Sequence, residues 1–148
     1  MKIKDLYFAI DKEIDFFDNT ERSIVFLNNS AKKRKDFFVL PRREALSYKS
    51  IGFFIGNEAI CENVCKYIDG KATYILVDIE CKQNFDLLSI AKKSIFKSQV
   101  IPFKPNDVTL ESCDLLVRHL FKEDIQGRKI LIFGSGNLAS KIALRLAE

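Results

Sequence analysis

The chain has 148 residues, 47% of them hydrophobic and 30% charged, with a formal net charge of +4. That is room for one globular domain, or a small domain plus part of another, and the basic excess is too slight to argue for a nucleic-acid partner. No run approaches the ~18–20 apolar residues of a membrane-spanning helix, and the N-terminal MKIKDLYFAIDKEIDFFD has acids where a signal peptide has its apolar core, so a cytoplasmic protein with no membrane partner is expected.

In chain order, KIKDLYFAI and EIDFF suit either a hairpin added at a sheet edge or a short helix. SIVFLN (Ser23–Asn28) is short and β-branched, as a buried strand is. AKKRKDFFVLPRREALSYK reads as a helix or irregular connection broken by Pro41. Its basic cluster, Lys32–Lys35 with Arg42 and Arg43, is a solvated face or a contact for an acidic partner. SIGFFIG (Ser50–Gly56) is a second buried strand. NEAICENVCKYIDG places Ala59, Ile60, Val64, Cys65 and Ile68 on one helical stripe, stopped by Gly70. A third strand, Thr73–Ile79, precedes a helix carrying Leu87, Leu88, Ala91 and Ile95, with Asn84 or Asp86 as its cap. A fourth strand is expected at Ser98–Phe103. A long amphipathic helix follows, beginning at Pro105, Asn106 and Asp107, with Cys113, Leu116, Val117, Leu120 and Phe121 on its apolar stripe and Gly127 beyond its end. KILIFG (Lys129–Gly134) is the last strand and leads through a glycine turn into a final helix.

Strands alternating with helices predict an α/β fold with a mostly parallel sheet. The expected organisation is a three-layer α/β substrate domain over residues 1–104, a linking helix over 105–127, and the first strand, glycine turn and helix of a Rossmann-type domain over 128–148. The four cysteines (Cys61, Cys65, Cys81, Cys113) form no CxxC pair and His119 is the only histidine, so buried free thiols and no metal site are expected.

ILIFGSGNLAS carries G-x-G-x-x-A at Gly134, Gly136 and Ala139. In such a turn the first glycine permits a tight bend, the second lets the backbone approach a pyrophosphate, and the small third residue allows close helix–strand packing. Gly134, Ser135, Gly136, Asn137 and Leu138 are therefore the candidate cofactor-binding residues, with the helix dipole behind them. The acid that binds a ribose falls about 20 residues past such glycines, and Glu148 is too early for that role, so NAD and NADP are not distinguished.

The segment Asp124–Glu148, DIQGRKILIFGSGNLASKIALRLAE, resembles the start of the cofactor domain in the methylenetetrahydrofolate dehydrogenase/cyclohydrolases and the shikimate dehydrogenases. The likeness to the folate enzymes extends back to Ile101, through a proline turn and a long helix, and includes Gly134, Asn137 and Leu138 as G-x-x-N-[IL]. The resemblance implies an NAD(P)-dependent oxidoreductase with a small-molecule substrate held between two domains, of which this chain is the N-terminal part and is inactive alone. The folate enzymes' Tyr and Lys four residues apart have a counterpart in spacing at Tyr67 and Lys71, with Gly70 between them at a helix end. Where the shikimate enzymes carry a lysine after a proline, LPRRE has Arg43, which cannot give up its proton. Lys104 and Asp107, in PFKPND, are candidates for substrate contact or proton transfer.

A reading of a different class makes the chain a complete small α/β binding module whose glycine turn is structural or holds a simple phosphate. An unpaired sheet edge at Lys129–Phe133 would favour a homodimer.

Overall fold

The computed structural model describes every residue except Met1, 19–21, 31–35, Cys81 and Glu148. The basic cluster 32–35 and Cys81 therefore lie outside the described residues. The chain divides into two compact units, Met1–Phe103 and Lys104–Glu148.

The first unit opens on a helix, α1 (Ile3–Ile14), continued by a 3-10 turn over Asp15–Phe17. Leu6 and Ile10, one helical turn apart, are its buried stripe, which favours the helix over the hairpin. Strand β1 (Arg22–Asn28) alternates strictly, burying Ser23, Val25 and Leu27. Strand β2 (Phe37–Ala45) occupies the segment expected to be a helix or irregular. Pro41 is tolerated there because β2 is an edge strand paired only with β3 (Tyr48–Ile55), and the register shifts between Leu40 and Arg43, across the proline.

Helix α2 (Glu58–Ile68) is capped by Asn57, whose side chain accepts from Ile60 N at 2.9 Å, and buries Cys61, Val64, Cys65 and Ile68 at helical spacing. Strand β4 (Tyr74–Asp78) leads to α3 (Leu87–Ser94), capped by Asp86, which accepts from Leu88 N and Ser89 N. Strand β5 (Gln99–Phe103) closes the unit.

The five strands form one sheet in the order β2-β3-β1-β4-β5, in which β3, β1, β4 and β5 run parallel and β2 antiparallel. One face carries Val25, Leu27, Ile51, Phe53, Ile55, Ile75 and Val77, and packs with Leu6 and Ile10 of α1, the stripe of α2, and Leu87 and Ala91 of α3 into a single core. Each fully buried aliphatic there is worth roughly 1.5–3 kcal/mol relative to exposure. The other face bears aromatics: Phe38 stacks on Phe54 at 4.5 Å and Phe26 meets Phe103 edge-on at 5.4 Å. Among the described residues of this unit the helices cover one face, so the three-layer expectation is met by two layers here.

In the second unit, α4 (Pro105–Leu120) has Lys104 at the N-cap position and Pro105 in its first turn, where the missing N–H costs nothing. The Lys104 side chain makes no capping hydrogen bond. Helix α5 (Asn137–Ala147) pairs with α4 through Lys141–Asp107 at 2.9 Å and Arg145–Asp114 at 3.3 Å. The helix expected to be a linker is thus part of the second unit's packing. Lys129–Gly134 forms no strand, because backbone in extended form becomes a strand only when a neighbour accepts and donates its hydrogen bonds, and none is present among the described residues. Leu131 is 92% exposed and Phe133 fully so.

Candidate functional site

The glycine turn forms at the expected position. Gly136 supplies the carbonyl for the first helical hydrogen bond of α5, from Ser140 N at 3.1 Å, and so stands at the N-cap. Most N-caps offer a side-chain oxygen to the amides of the first turn. Glycine has none, so Asn137, Leu138 and Ala139 present N–H groups with no intrahelical acceptor and no cap from Gly136. A Cβ added at Gly136 would meet no atom within 4 Å, so the space beside the turn is open. Gly134 has φ +145°, a conformation that side-chain-bearing residues rarely adopt, and a Cβ added there would lie 3.7 Å from Ala139 Cβ.

The weaker sequence candidates fare differently. Arg43 is exposed on β2 and pairs in register with Ser50, near the start of β3. That is the amino-terminal end of the parallel strands, whereas ligands of open α/β sheets gather at the carboxyl ends. Lys104 follows the last residue of β5, but its ammonium is 4.0 Å from Asp107 Oδ2. Asp107 is held more closely by Lys141, whose hydrogen bond keeps the carboxyl below its usual range. It is an ionised acceptor joining α4 to α5, and no tight Lys104–Asp107 proton-transfer pair forms.

Tyr67 and Lys71 do meet, on a carboxylate of α1. The Tyr67 hydroxyl donates to Asp11 Oδ2, Lys71 Nζ lies 2.8 Å from Asp11 Oδ1, and the ammonium stands 3.5 Å over the Tyr67 ring. Tyr7 stacks on the far side of the cluster at 3.9 Å from Tyr67. The group precedes the start of β4, again the amino-terminal end, and ties α1 to the end of α2.

Sequence reasoning missed a second polar group, at the carboxyl ends of β1 and β4. Asp78, 2% exposed, accepts Glu80 N at its Oδ1 (2.9 Å) and Lys82 Nζ at its Oδ2 (3.0 Å), and Lys82 also lies 2.6 Å from Glu80 Oε2. Burial by itself would lower the Lys82 ammonium, but its bonds to Glu80 and Asp78 outweigh that and hold it above its ordinary value. Gln83 Nε2 donates to Ser30 O, tying the turn after β4 to the turn after β1. The available signal was Asp78 itself, a charge closing the apolar run YILVD.

Cys61 and Cys65 are buried free thiols with sulfurs 4.0 Å apart, and that contact together with burial pushes the Cys61 thiol up, away from reactivity. Cys113 is half-buried and also free. Among the described residues no group of His, Cys, Asp or Glu is placed to hold a metal, and no helix is long and apolar enough to cross a membrane. No family model, curated protein or solved structure matches this chain.

Proposed function

We propose that the chain supplies the substrate-side α/β unit and the diphosphate-gripping corner of an NAD(P)-dependent dehydrogenase acting on a small molecule. The carrying observation is the side-chain-free N-cap, Gly136, opening α5 behind a positive-φ Gly134. The amides of Asn137 and Leu138, with the positive end of the α5 dipole, would hold the pyrophosphate; such a helix terminus contributes about 0.3–1 kcal/mol per nearby charge. A nicotinamide cofactor, when bound, supplies the hydride chemistry. This chain's own part is to fix the diphosphate and to provide the sheet at whose carboxyl edge a substrate can lie.

The exposed, unpaired Lys129–Gly134 segment supports the same reading, since a Rossmann-type sheet would pair it with neighbouring strands. The test is an amide chemical-shift titration of the chain with NADH, NADPH and pyrophosphate. Shifts confined to Gly134, Gly136, Asn137 and Leu138, weak in affinity and lost in Gly136→Asp, are expected. Unmoved amides at this turn with all three would remove the cofactor reading, and tight binding of either nucleotide would instead favour a self-sufficient binding module.

A further inference from the structure

The end of α3 and the turn after it sort their residues by side. Ala91, Ser94 and Ile95 are buried, while Lys92, Lys93, Phe96 and Lys97 are exposed. Phe96 is 81% exposed although its neighbour Ile95 is 6% exposed. The turn is fixed by the chain that follows α2. Asp69, the C-cap of α2, accepts Lys97 N at 2.8 Å and Ser98 N at 3.0 Å. Ser98 Oγ accepts from Gly70 N at 2.9 Å and donates to Ala72 O at 2.7 Å. Gly70 has φ +80°, and a Cβ built on it would lie 2.9 Å from Lys97 Cδ, so the lysine stem lies against the glycine.

The same turn carries uncompensated charge. Among the described residues, Lys92, Lys93 and Lys97 form no ion pair, whereas Lys66 and Lys71, at the end of α2, are paired with Glu62 and Asp11. Asp69 is a carboxylate touching the turn, and its Oδ1 is taken up by backbone amides. Three cations and a phenyl ring thus stand exposed within six consecutive residues, on backbone that its hydrogen bonds hold in place.

A partner for such a turn is anionic, to meet lysines that have no carboxylate of their own, and it accepts a projecting apolar side chain. Phe96 projects from the turn, so it offers a peptide or a nucleic-acid strand little surface to bury against. The interface of an anionic bilayer needs no groove: a ring enters the headgroup–acyl boundary while lysine stems lie along it and keep their ammonium groups at the phosphates. Because the turn is already fixed, little ordering is lost on contact. We propose that this turn is a peripheral contact for an anionic lipid surface, with Phe96 entering the boundary and Lys92, Lys93 and Lys97 on the headgroups. Such a contact requires neither a spanning helix nor a signal segment, the two features on which the expectation of no membrane partner rests. It is independent of the glycine turn and stands whether or not that turn binds a dinucleotide.

The experiment is co-sedimentation of the full chain with vesicles of equimolar phosphatidylcholine and phosphatidylserine, with vesicles of phosphatidylcholine alone, and with soluble phosphoserine as competitor. The expected result is partition onto the anionic vesicles that weakens with added salt, none onto the neutral ones, and no displacement by phosphoserine. A lysine near an anionic surface is worth about fivefold in partition, so Lys92→Gln, Lys93→Gln and Lys97→Gln together should lower it about a hundredfold. Phe96→Ala should lower it about tenfold and leave the Tm unchanged, because the ring is exposed. Phe8→Ala, which removes a ring 75% exposed on α1, and Gly136→Asp should leave partition as it is. Absence of partition onto the anionic vesicles, partition that survives the Phe96 or the lysine substitutions, or an equal loss in Phe8→Ala would overturn the proposal. Tighter binding to an oligothymidylate or to polyglutamate than to the vesicles, or displacement by phosphoserine, would overturn it as well.

Discussion

Arg145 of α5 reaches across to Asp114 of α4, Nε to Oδ2 at 3.3 Å, and Asp114 is 4% exposed although it lies on a helix with few buried residues. Arg118 holds the other carboxylate oxygen at 2.9 Å. Two guanidinium groups on one buried carboxylate make this the polar centre of the α4–α5 pair. Hydrogen bonds to charged partners contribute about 1.5–3 kcal/mol when buried. Asp114→Ala should lower the stability of the second unit by about that much, read as faster amide exchange along α5, with the core strands Val25–Leu27 and Ile75–Val77 unchanged.

The two glycines of the turn should respond unequally to alanine. Gly134 has φ +145°, and holding an L-residue there costs about 1–3 kcal/mol, so Gly134→Ala should loosen the start of α5, with faster exchange at Ser140 and Lys141. Gly136→Ala meets no atom within 4 Å, so its cost is only that of alanine being a poorer N-cap than glycine, up to about 1 kcal/mol. Equal effects of the two would mean that the turn geometry is not what holds the helix start.

Asp11 gives a pH signature. The hydrogen bond from Lys71, then that from Tyr67, lowers its pKa below 3.8. A carboxylate lowered in the folded state stabilises above its unfolded pKa, and that stabilisation fades as pH falls through the lowered value. The Asp11 carboxyl, followed by carbon NMR, should therefore titrate below 3.8, and Lys71→Met should move its midpoint upward. The group is half-exposed, so the effect on overall stability is small.

Leu131 and Phe133 stand exposed on backbone that pairs with no strand among the described residues. Such a segment is a template for pairing with another chain. The wild-type chain should elute from size exclusion with a concentration-dependent volume, and Leu131→Lys with Phe133→Lys should abolish that dependence. A concentration-independent monomer before substitution would show that this segment does not drive association.

Much of the architecture was legible in the chain. The short β-branched run Ser23–Asn28 and the helical spacing of Val64, Cys65 and Ile68 are local patterns, and they are enough to choose strand or helix, although the buried stripe of α2 takes Cys61 where the sequence pointed to Ala59 and Ile60. The glycine turn was legible for the same reason, since Gly134, at φ +145°, answers a backbone requirement set within a few residues. β2 was not legible, because Pro41 argues against a strand everywhere except at a sheet edge, and an edge is defined by which strands lie beside it.

By itself, then, the sequence determined the identity of most elements, the single apolar core of the first unit, and the bend that opens α5, all consequences of side-chain spacing along a short stretch. Tertiary structure alone decided that β1 lies between β3 and β4, that Gln83 after β4 comes to hold Ser30 after β1, and that Lys129–Gly134 pairs with no strand among the described residues. The physical reason is that strand pairing is set by hydrogen bonds and packing between residues far apart in the chain, and no local pattern carries the identity of a distant partner.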